Sequence, residues 1–166
     1  MTRLQQLVID LERHAAGGGW DAPPRLYALV EAPELHEHDP ELARRLGVPN
    51  LPDRIAALEQ PQLPADRPIE DVLGGIEWPE RVEGCALVVE RIMLPDAAED
   101  DAAEREPAPP AHEHPDREEV RLVVGVLRDG SRHAAMRLRG HDSDDRVLAG
   151  PELLPGLADA LASTLT

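Results

Sequence analysis

The chain has 166 residues and a formal charge of −16, from 33 acids against 17 arginines with no lysine. Nucleic acid is a poor partner for such a polyanion, because basic side chains drive phosphate affinity, and with Phe absent only Trp20, Tyr27 and Trp78 could stack on bases. The lack of lysine removes Schiff-base chemistry and the phosphate-loop lysine, and the lone Cys85 cannot close an intrachain disulfide, which fits a reducing compartment.

In chain order, Leu4, Leu7, Val8, Leu11 and Ala15 recur at helical spacing until Gly17, Gly18 and Gly19 end the pattern, which predicts one amphipathic helix from Thr2. Pro23 and Pro24 lead into Arg25 to Val30, a buried strand. Asp39 is placed as N-cap, Pro40 as first helical residue and Gly47 as C-terminal cap of a two-turn helix. Five prolines between 49 and 68 leave room for a brief helix at most, around Ile55 to Leu58, and Ile69 to Ile76 suits another.

The second half is β-rich. Ala86 to Leu94 and Val120 to Leu127 are near-continuous apolar runs, Arg132 to Arg139 alternates strictly, and Asp129-Gly130 marks a hairpin turn before it. Pro151 is expected to open a last helix, with Leu154, Leu157, Ala158, Leu161 and Leu165 on one stripe. Between the apolar runs, residues 95–119 hold ten acids, two arginines and five prolines, so a mobile acidic Pro-rich loop is expected at about 96–113.

These elements predict a single α+β domain over 1–166. Its mostly antiparallel sheet has about four strands, with the N- and C-terminal helices packed on one face and the other face open. No apolar run approaches the ~20 residues of a membrane span and the N-terminus has no signal-peptide core. A soluble, cytoplasmic protein that engages no membrane is the expectation.

Two His-x-His pairs, His36 with His38 and His112 with His114, could in principle surround a zinc ion, but they have no CxxC or HExxH partner. Solvated loop histidines are the plainer account, and neither a metal nor another cofactor is expected. Strand alternation gathers Arg121, His133, Arg137 and Arg139 on one sheet surface, with Arg91 or Glu90 nearby. Such a strip could hold a small anion or an acidic peptide through guanidinium contacts; the plainer readings are that the acidic 95–119 segment folds over it or that the arginines solvate an open face. Glu90 and Arg91 interrupt an apolar strand, so one must face inward, and an ion pair of Glu90 with an arginine such as Arg25 would satisfy it. Cys85 lacks any recognisable Cys-His-Asp arrangement and reads as a small core residue.

Several segments, Gly19-Trp20-Asp21 through Pro23-Pro24-Arg25-Leu26-Tyr27, Trp78-Pro79, Gly84-Cys85-Ala86, Val89-Glu90-Arg91, His114 to Arg121 and Leu127 to His133, together resemble a family of small uncharacterised actinobacterial proteins. The resemblance spans nearly the whole chain and implies a bacterial cytoplasmic setting; it assigns no catalytic residue. The function expected is a non-enzymatic interaction or adaptor module that binds another protein or itself. The alternative is an anion- or small-molecule-binding protein, even a weak enzyme, centred on the Arg/His strip.

Overall fold

The first helix, α1, runs from Arg3 to Gly17 because its apolar stripe is closed at the start by a reciprocal capping box. The Thr2 hydroxyl accepts the Gln5 amide at 3.1 Å, and the Gln5 side chain accepts the Thr2 amide at 2.7 Å. Strand β1, Arg25–Glu31, leads directly into two short helices, α2 (Ala32–His38) and α3 (Pro40–Leu46). The boundary between them is Asp39, whose carboxylate accepts the Leu42 amide at 3.1 Å, and Gly47 ends α3 at φ 68° as the sequence predicts. The computed structural model describes residues 2–64, 66–93 and 118–166, so the expected acidic loop at 96–113, with His112 and His114, lies outside the described residues.

Five further strands complete the sheet: β2 (Ile55–Glu59), β3 (Gly84–Met93), β4 (Glu118–Leu127), β5 (Arg132–Leu138) and β6 (Leu148–Gly150). Helix α4 (Ile69–Leu73) precedes β3, and α5 (Pro155–Ser163) ends the chain. The order is β2-β1-β3-β4-β5-β6 with every neighbouring pair antiparallel. Asp129-Gly130 makes the β4–β5 turn, Gly130 at φ 94° and the Asp129 carboxylate accepting the Ser131 amide at 2.8 Å.

Three expectations are corrected. The sheet has six strands, not about four: the Ile55 to Leu58 stretch, expected as a brief helix, is drawn with Glu59 into β pairing with β1, and Leu148–Gly150 adds a short sixth strand. Helix α5 opens at Pro155, because Leu154 adopts a left-handed φ of 55° that no helix accommodates. The terminal helices lie on opposite faces. Leu4, Val8 and Leu11 of α1 pack with Leu29, Val88 and Val123, whereas Leu157 and Leu161 of α5 pack with Leu87, Val124 and Ala134. Successive strand residues point to opposite faces, so a sheet apolar on both faces requires cover on both.

One glycine and one arginine hold these layers together. A Cβ on Gly125 would come within 3.0 Å of Leu4 Cδ1 and Val8 Cγ2, so glycine lets α1 sit directly on β4. On the other face, Trp78 Nε1 donates to Thr164 Oγ1 at 2.9 Å, and Arg128 donates to the carbonyls of Val82 (2.7 Å), Pro79 (3.0 Å) and Leu165. The Arg128 guanidinium thereby ties the end of α5 to the 78–82 segment and to the start of the β4–β5 turn.

Candidate functional site

Register settles where the strip residues lie. Arg121 is directly across from Arg137 on β5 and from Glu90 on β3, and His133 is across from Gly125, all on the face covered by α1. Arg91 is not with them. It points to the other face and pairs with Glu70 of α4, whose carboxyl is held below its ordinary value by that contact. Arg139 lies just past the end of β5, exposed.

The α1 face is closed over these side chains, with Arg121, His133 and Arg137 only 1%, 6% and 2% exposed. Arg137 makes a bidentate fork to Glu12 of α1, Nε to Oε2 at 2.9 Å and Nη2 to Oε1 at 2.7 Å, and also donates to Asp142 at 3.0 Å and Asp144 at 2.6 Å. These hydrogen bonds, the Glu12 fork foremost, push the Arg137 pKa upward. The chain leaving α1 wraps the next layer. Trp20 stacks under the Arg121 guanidinium, 4.4 Å from ring centroid to Cζ, and donates its indole N–H to Asp142 at 3.0 Å. Arg121 donates to the Gly19 carbonyl, while Arg139 forks onto Asp21 at 3.0 and 3.3 Å and reaches Glu119.

Glu90 is the inward-turned charge of β3, and its partners are not Arg25. Its two carboxylate oxygens accept the amides of Asp21 (2.8 Å) and Ala22 (3.0 Å). Asp21 reaches this geometry at φ 67°, a left-handed conformation that Asp tolerates better than most residues, and so aims consecutive amides at one carboxylate. Six carboxylates (Glu12, Asp21, Glu90, Glu119, Asp142, Asp144) therefore surround three guanidiniums. The cluster is a lock joining α1, the 19–22 turn and β3–β5, and its charge balance is negative.

Titration of this cluster has a defined sign. The Trp20 and Arg137 contacts hold the Asp142 carboxyl below its ordinary 3.8, Arg137 does the same for Asp144, and burial pushes His133 below 6.5. For all three, the folded state binds protons less readily than the unfolded chain, so their stabilisation is complete above the unfolded pKa and lost as pH falls. The urea midpoint is expected to be level above pH 7, to decline below about 6.5 and to drop further below about 4. His133→Leu should shrink the first decline and leave the second, measured from pH 3 to 8.

The His36–His38 pair lies on α2, not on an extended segment. His36 Nε2 is bonded to the Val48 carbonyl at 2.6 Å and His38 lies 3.8 Å from Glu34, so the two imidazoles serve different local contacts. Among the described residues no group of three His, Cys, Asp or Glu is placed to hold a metal. Cys85 is fully buried near Thr164, and burial pushes its thiol up to about 11. It is not poised as a nucleophile at neutral pH.

A second region was not visible in the sequence. The sheet is wider than α5, which covers β3 and β4, so on the same face β1 and β2 are left between α2–α3 and the 76–82 segment. Two adjoining cavities, about 210 and 330 Å³, share Val30, Leu58 and Arg81 as lining. Leu35 and Leu42 wall the trough on one side and Trp78 on the other. Its outer boundary is β2, the first strand in the sheet order. Ala32 N–H donates to the Arg54 carbonyl at 2.9 Å and Gln60 N–H to the Leu26 carbonyl at 2.8 Å, which fixes the even-numbered residues of β2 as those bonded to β1. The backbone groups of Ile55, Ala57 and Glu59 therefore point away from the sheet, and no strand pairs with them among the described residues.

The chain is an α+β protein built on an open antiparallel sheet with helices on both faces, a closed Arg/His cluster on one face and a trough beside the β2 edge on the other. The chain belongs to the PPA1309-like protein family, whose model matches residues 4–166. No curated protein and no solved structure matches it. Among the described residues no helix is long and apolar enough to cross a membrane.

Proposed function

We propose that this chain is a non-enzymatic protein-interaction module that holds a partner in the trough formed by α2, α3, β1, β2 and the 76–82 segment. The observation that carries this reading is the trough itself, where Val30 and Leu58 form an apolar floor, walled by Leu42, beside unpaired strand backbone. The Arg/His strip competes poorly for the role, since its Arg137 and Arg139 guanidiniums are already matched by carboxylates of the same chain. A cytoplasmic setting accords with the single buried thiol.

The second reading is a small-anion site on Arg121, His133, Arg137 and Arg139. It is favoured by the Arg121 Nε and Nη1 atoms, buried without a hydrogen-bond partner among the described residues. One comparison separates the two. Tagged wild-type chain, a Leu58→Glu variant and an Arg139→Ala variant are each used to capture partners from the native cell, and the captured proteins are quantified. A stoichiometric partner held by wild type and Arg139→Ala, and reduced about tenfold or more by Leu58→Glu, is the expected result, since a carboxylate set on an apolar contact forfeits at least one decade of affinity. Loss with Arg139→Ala alone would move the site to the strip.

A further inference from the structure

The trough and the β2 edge are adjacent, and their geometry specifies what could lie across both. The outward backbone of Ile55, Ala57 and Glu59 offers alternating donors and acceptors to one more antiparallel or parallel strand. A strand added there would direct alternate side chains to the two faces of the sheet. On the α5 face they would meet the trough at Leu58. On the α1 face they would meet a polar cavity of about 420 Å³ lined by Leu7 and Ile55 together with Arg3, Asp10, Asp53 and Arg54. Both sides of the vacant edge thus have room for side chains, which a strand edge blunted by packing lacks.

Charge selects the occupant. Glu34, Asp39 and Glu77 rim the trough against Arg81, and at the edge Glu59, Asp10 and Asp53 stand against Arg3 and Arg54, so acids outnumber cations on both sides. A second copy of the chain would bring an identical acidic rim and another −16 charges to the same edge, so self-pairing through β2 is opposed. An extended segment with apolar residues at alternate positions and basic flanks meets both the backbone and the rim.

We infer that β2 is a strand-addition site for an extended, basic-flanked peptide segment of a partner protein, an inference that rests on the interaction reading above and names its partner chemistry. Ala57 gives a selective probe. Its N–H points outward, so Ala57→Pro removes one donor from the vacant edge and none from the β1–β2 ladder, a position where an edge strand tolerates proline.

The experiment uses the full chain and a short synthetic peptide of alternating valine and threonine between arginine–lysine flanks. Controls are the same peptide with glutamate flanks and a version N-methylated at every amide of the valine–threonine stretch, so that neither of its edges can donate. Binding is followed by amide chemical shifts. The basic peptide should perturb the amides of Ile55–Glu59, bind about tenfold more weakly to Ala57→Pro, and outbind both controls at low salt. Absence of binding, equal binding of acidic and basic peptides, or full binding of the N-methylated peptide would overturn strand addition, and the last holds even if Ala57→Pro fails to fold. Captured partner that is lost with Leu58→Glu yet unaffected by a folded Ala57→Pro would leave the interaction reading standing and overturn this one.

Discussion

Replacing Arg137 with alanine is expected to lower the unfolding free energy by about 3–5 kcal/mol, a large share of the roughly 5–15 kcal/mol that holds a domain of this size. The reason is what remains behind. Glu12 is only 2% exposed and sits under α1, so without the guanidinium fork its carboxylate is a buried charge with no counter-ion. Asp142 and Asp144 lose the same partner and release the 140–146 segment from β5. Replacing both members, Glu12→Leu with Arg137→Met, should cost much less than the two single changes added together, because an apolar pair needs no charge compensation. Urea unfolding at pH 7 measures all of these variants. A single-variant loss under about 1 kcal/mol would mean that the lock is not a stabilising unit.

Gly84→Ala is expected to be the most damaging change outside that lock, at about 3 kcal/mol, the upper part of the range for overpacking. A Cβ at Gly84 would fall 2.1 Å from the Val126 carbonyl oxygen and 2.7 Å from Leu127 Cδ2. The first neighbour is backbone in the central β3–β4 pair and cannot swing aside, so the strands themselves must move apart. Gly125→Ala makes the contrast. Its contacts at 3.0 Å are the ends of the Leu4 and Val8 side chains, which can shift rotamer, so about 1 kcal/mol is expected there. Equal costs at the two positions would contradict the placement of β3 against β4.

Elements with a local signature were legible in the sequence. A continuous apolar stripe ended by glycines specifies α1; Asp39, Pro40 and Gly47 bracket α3; near-continuous apolar runs give β3 and β4, and alternation after Asp129-Gly130 gives β5. What failed lacked one. Ile55-Ala56-Ala57-Leu58 has alanine-rich helical propensity, and it becomes a strand only because β1 presents a free edge and apolar neighbours on both faces. Leu148–Gly150 is too short to show any period.

The candidate site was half legible. Alternation correctly placed Arg121, His133 and Arg137 on one face, but not what lies over them. One signal was available: Glu12 follows Val8 by four residues on the apolar stripe of α1, and a carboxylate on a buried stripe requires a buried cation. The trough had no such mark, because it arises from a mismatch between the width of the sheet and the helix that covers it.

Hydrogen exchange on the captured complex tests the central claim most directly, since it reports where the partner sits on the intact chain. The expected result is new protection of the outward amides of β2, Ile55, Ala57 and Glu59, together with the 76–82 segment, and no change at Trp20, Asp21 or the Arg137 cluster. Protection centred on the 19–22 turn and the end of β5, with β2 exchanging as in the free protein, would contradict it.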